Sequence, residues 1–117
     1  MDEAEVSKLA DSLIGQATTE QIEQWKADVQ RKHGATAIVY QYEAEGRICY
    51  LRSVDRDTYS TAVSKVSTSP AKFNEVVINS VWLGGDETFK KVDQFYFGLI
   101  DFVEEMMAKK KGNLKAL

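Results

Sequence analysis

Residues 36–53 read TAIVYQYEAEGRICYLRS, and the period of their side chains decides the fold class. Ile38, Tyr40 and Tyr42 alternate with more polar neighbours, and Ile48 and Tyr50 repeat that spacing beyond Gly46. A period of two belongs to a strand, whose successive side chains point to opposite faces. β-Branched and aromatic residues on both sides of AEGR predict a hairpin over about 36–44 and 47–53, with Gly46 in the turn. A lone hairpin is marginal in water, so helices are expected to cover a face of it.

The segments C-terminal to the hairpin change to helical spacing. In SVDRDTYSTAVSKVS (53–67), Asp55 is placed as an N-cap, and Tyr59, Ala62, Val63 and Val66 form the expected buried stripe. In TSPAKFNEVVINSVWLGG (68–85), Ser69 caps and Pro70 takes the first helical position. Phe73, Val76, Val77, Ile78, Val81, Trp82 and Leu83 cover most of that helix, as in a central one. Burying one large apolar side chain contributes roughly 1.5–3 kcal/mol, so this segment is expected to dominate the core. A last helix is predicted from about Glu87 to Lys110. Its broad stripe holds Phe89, Val92, Phe95, Tyr96, Leu99, Ile100, Phe102, Val103, Met106 and Met107, with Phe97 outside it. Residues 111–117 are expected to be a flexible C-terminal tail.

On the N-terminal side, three acids precede Val6, Leu9, Ala10, Leu13 and Ile14 at helical spacing, so a helix is predicted over 1–15. Thr18 and Gln21 have the spacing of a capping box, and RKHG (31–34) closes a second, thinly apolar helix. The 117 residues fit a single α+β domain over 1–117, mostly helical, with one hairpin packed on several helices.

Composition narrows the function. A net charge of −3 leaves no basic footprint for nucleic acid. The densest apolar run, VVINSVWL (76–83), is too short to span a bilayer, and the acidic N-terminus does not resemble a secretory signal. The single cysteine, Cys49, permits no internal disulfide and suits a reducing compartment, so a cytoplasmic setting is expected. Cys49 itself reads as a small buried apolar residue.

GGDETF (84–89) differs by one inserted threonine from GGDEF, the signature of enzymes that make cyclic di-GMP. It lies between two strongly helical runs, so capping accounts for it more simply. Gly84 is expected to end one helix in the left-handed region, and Asp86 to cap the next. His33 is the only histidine, and it stands where a helix end favours a positive side chain. There is no zinc spacing, no calcium loop, no G-x-S-x-G elbow and no phosphate loop. Neither catalysis nor a cofactor or metal is expected. Lys109–Lys111 reads as a solvated helix end, and Tyr40, Tyr42 and Tyr50 read as cross-strand packing rather than a base-stacking platform.

From about Ile22 to Leu117, the order of segments resembles the small tail assembly chaperones of long-tailed bacteriophages and prophages. The resemblance is carried by a Trp25 helix ending in His33–Gly34, by the hairpin running through Tyr50-Leu51-Arg52 to Tyr59, and by NEVVINSVWLGGDE (74–87). An aromatic-rich helix follows, and then Leu114-Lys115 with Leu117. The family's frequent cysteine in the helix of residues 70–83 has no counterpart, since Ser80 or a neighbour stands there. The helix of residues 2–14 is also unmatched.

The resemblance implies a non-catalytic protein that keeps the tape-measure protein soluble and helps tail-tube subunits assemble around it. It also makes Lys109–Lys111 compatible with a slippery codon run for a frameshifted longer form. The stripe of the last helix is broader than one core face needs, which makes Phe97, Phe102, Met106 and Met107, with Leu114 and Leu117, the candidate partner-binding residues. A homo-oligomer is compatible with such a surface. The competing expectations are a structural or connector protein retained in the virion, and a small regulatory ligand-binding domain using the hairpin and the GGDE corner.

Overall fold

The computed structural model describes residues 12–65 and 69–117. Among them, α1 (Thr19–His33) leads into β1 (Val39–Ala44) and β2 (Arg47–Arg52). Then come α2 (Arg56–Lys65), α3 (Pro70–Val81), β3 (Trp82–Gly85), α4 (Thr88–Lys91) and α5 (Asp93–Met106). The architecture is α+β and mostly helical, as the periods predict.

The hairpin forms where the alternation placed it. Tyr42 pairs with Cys49 and Ala44 with Arg47 across a turn in which Glu45 and Gly46 both have positive φ. That two-residue loop matches the twist of the flanking strands. What the alternation does not reveal is a third strand. β3 pairs antiparallel with β2, so the sheet order is β1-β2-β3 with β2 in the centre.

A central strand must be covered on both faces, and β2 is buried from Ile48 to Arg52. Cys49 and Leu51 face a core built from Ala62 of α2, Val77, Ile78 and Val81 of α3, Phe89 of α4, and Leu99 and Val103 of α5. Their neighbours Ile48, Tyr50 and Arg52 point the other way, where Trp25 of α1 packs on Tyr50 with ring centroids 5.1 Å apart. Burial pushes the Cys49 thiol up to about 12, with the Asp86 charge adding to it. It is fully buried, as the sequence suggested.

The predicted caps hold at three helices. The Thr18 hydroxyl accepts from the Gln21 amide at 3.1 Å, Asp55 accepts from the Thr58 amide at 2.8 Å, and Ser69 accepts from the Lys72 amide. Several expectations are corrected. The helix of residues 70–83 stops at Val81, because Trp82 turns to extended geometry to pair with Leu51 and supply the second edge of β2. Gly84 therefore ends no helix, and it is Gly85 that has a positive φ of 122°. In α2 the buried residues are Thr58 and Ala62, while Tyr59 and Val63 are about half exposed; Val66 lies outside the described residues.

The last helix is broken at Val92 and ends at Met106 rather than Lys110. Phe89 and Phe95 would stand about 120° apart on a straight helix. The break instead brings their rings edge to face at 5.6 Å, with Phe89 fully buried. The predicted helix over 1–15 lies mainly outside the described residues. Of its last residues, Leu13 and Ile14 are not helical: Ile14 bridges to Arg47, and its carbonyl accepts the Ile48 amide at 3.0 Å.

Candidate functional site

The GGDETF stretch is a packed corner. A Cβ on Gly84 would stand 2.8 Å from the Trp25 ring, and one on Gly85 would stand 2.5 Å from the Cys49 Cα. The opposite wall is Gly15, where a Cβ would meet the Asp86 amide nitrogen at 2.4 Å. Asp86 accepts from the Thr88 amide at 3.0 Å and is paired with Arg47, whose guanidinium also donates to the Thr88 hydroxyl at 3.3 Å. The Thr88 amide and the Arg47 hydrogen bond outweigh desolvation and hold the Asp86 carboxyl below its ordinary range. The corner residues are spent on holding β2, β3 and the N-terminal segment together.

The six candidate partner residues fall into three groups. Phe102 stacks on Tyr42 at 5.3 Å and meets Tyr40 edge-on at 5.7 Å, so its ring is committed to the sheet. Met106 and Met107 are half-buried against the core. Phe97 is 61% exposed, and at nine residues from Met106 it stands about 180° around α5 from that side chain. Leu114 and Leu117 are fully exposed beyond the helix. The structure therefore brings Phe102 and Met106 together and separates Phe97 from both. Phe97 shares its face with Asp101 and Glu104, which are also exposed.

A second constellation was not read from the sequence. His33, at the end of α1, bonds through Nδ1 to Asp55 at 2.9 Å. Arg52 lies beside them, 8% exposed, with its guanidinium donating to the Ser53 carbonyl at 3.2 Å. Burial lowers the Arg52 pKa, and the Asp55 charge opposes that. His33 and Arg52 line a cavity of about 270 Å³ between α1 and the back of the sheet, together with Trp25, Asp28, Val29, Lys32, Ser80 and Leu83. The available signal was Arg52 itself, in phase with Ile48 and Tyr50 on one strand face. It counts as a buried arginine only once β2 is known to be central.

Among the described residues no group of three or more His, Cys, Asp or Glu could hold a metal ion. No described helix is long and apolar enough to cross a membrane. No protein-family model, curated protein or solved structure matches this chain.

Proposed function

We propose that this chain acts by binding other protein chains, as a tail assembly chaperone that keeps a phage tape-measure protein soluble and aids tail-tube assembly. The observation that supports it is the placement of large apolar side chains in water. Phe97 stands out of α5 at 61% exposure, and Leu114 and Leu117 project from the residues that follow it. These side chains are apolar surface that a bound partner would remove from water. An amphipathic client helix with spaced apolar anchors supplies such a cover. The segment order described above gives the client its name.

The test begins with the coding DNA around Lys109–Lys111. A slippery run there, followed by a long helical reading frame, identifies the client to co-express. The expected result is that the client moves into the soluble fraction with this chain and returns to the pellet without it. A client equally soluble in both cases overturns the proposal.

A further inference from the structure

Arg52 lines the cavity between α1 and the back of the sheet with a charge that burial partly desolvates. The residue is 8% exposed, and among the described residues its guanidinium forms one hydrogen bond, to the Ser53 carbonyl, and has no carboxylate within 4.0 Å, so its remaining nitrogens are left to solvent. A partly desolvated charge of this kind is stabilised by an anion brought into the cavity. Asp55, whose charge acts on Arg52, is occupied by the Thr58 amide and the His33 ring. Lys32 lines the same cavity, also with no carboxylate within 4.0 Å among the described residues, while Asp28 is taken up by Arg31 at 3.0 Å and Gln24 at 3.2 Å. The rest of the lining is the apolar Trp25, Val29 and Leu83, with the polar Ser80 and His33.

We propose that this cavity binds a small molecule with one carboxylate and a flat apolar body. The carboxylate meets Arg52 and Lys32, because a planar guanidinium presents paired donors that match two carboxylate oxygens. The apolar body lies against Trp25, in the usual combination of a greasy wall with a few convergent polar groups. The volume of about 270 Å³ suits a molecule the size of an amino acid. Charge decides between one and two negative charges. Asp28, Asp55 and the C-terminal end of α1 all add negative potential here, so a doubly charged phosphate is disfavoured and the affinity expected is millimolar.

The experiment is a titration of the ¹⁵N-labelled full chain with phenylacetate, read at the indole signals of Trp25 and Trp82. Neutral 2-phenylethanol and inorganic phosphate are titrated in parallel. A saturable shift at Trp25 but not at Trp82 is expected with phenylacetate, with weakening of about tenfold in Arg52→Gln and in Lys32→Gln. Lys32 is exposed, so its variant keeps the question open to refutation if Arg52→Gln fails to fold. Absence of a saturable shift overturns the proposal. So does equal binding of 2-phenylethanol, tighter binding of phosphate, or unchanged affinity in the folded variants. None of these results bears on client solubility, which tests the chaperone reading separately.

Discussion

The Tyr42 hydroxyl lies 2.8 Å from the position a Cβ would take on Gly98, so α5 approaches β1 at the one residue that has no side chain. The approach also fixes the Tyr42 ring, which stacks on Phe102 and meets Phe89 edge-on at 5.6 Å. Gly98→Ala should gain about 1 kcal/mol in helix propensity but lose more by displacing that ring, for a net loss of about 1 kcal/mol. In a Tyr42→Phe background the obstructing oxygen is gone, and the same substitution should become stabilising. Denaturant unfolding of the four proteins in the cycle checks the change of sign.

The glycines of the corner predict a graded pair. Gly84 would meet the Trp25 ring, a side chain that can move, and it has no positive φ. Gly84→Ala should therefore cost about 1–3 kcal/mol. Gly85 would meet the Cys49 backbone at 2.5 Å and has a φ of 122°, so neither space nor conformation allows a side chain. Gly85→Ala should cost more than Gly84→Ala and open β3 from β2. Thermal unfolding ranks them, and amide exchange of Asp86, whose N–H bonds to the Ile48 carbonyl at 3.0 Å, reports the opening.

These glycines also mark how far the sequence could be read. The hairpin was legible because Tyr40 and Tyr42 alternate cleanly and Gly46 marks the turn. The caps at Thr18, Asp55 and Ser69 were legible because each is a local bond between a side chain and an amide three residues on. β3 was not, because Trp82 and Leu83 continue the apolar run of α3 and four residues carry no period of their own. Their strand geometry comes from pairing with a strand thirty residues earlier. The break at Val92 is hidden for the same reason, since it answers the packing of Phe89 against Tyr42 and Phe95. Of the candidate partner residues, the exposure of Phe97 agrees with its place outside the stripe, whereas the commitment of Phe102 to Tyr40 and Tyr42 depends on the register of β1. The cavity at Arg52 needs the sheet order before it can be seen at all.

Asp55 joins a helix cap to a histidine and makes stability depend on acid. Burial alone would raise its carboxyl, but the Thr58 amide and hydroxyl, the His33 ring and the Arg52 charge outweigh it and bring the pKa from 3.8 down to about 2. The native state therefore binds this proton less tightly than the unfolded chain. Its contribution is fully present above 3.8 and is lost as pH falls from there through about 2. Asp55→Asn keeps a capping oxygen and should flatten the pH dependence in that window at a small cost near neutrality. Asp55→Ala removes the cap as well and should cost about 1–2 kcal/mol at neutral pH. Urea midpoints of the three proteins across that window separate the cap from the charge.

Phe97 and Met106 stand on opposite sides of α5, and that separates binding from stability. Met106 packs against the core, so Met106→Asp buries a charge and should cost about 2–4 kcal/mol, confounding any loss of client binding. Phe97→Asp and the double variant Leu114→Asp, Leu117→Asp change exposed positions and should leave the unfolding free energy within about 0.5 kcal/mol of the parent. If the exposed side chains carry the client, both variants keep the fold and leave the co-expressed client in the pellet. A loss in the tail variant alone confines the contact to residues beyond α5, and a loss in Phe97→Asp alone confines it to the helix. Full client solubility with both variants, each folded as the parent is, removes these residues from any binding surface.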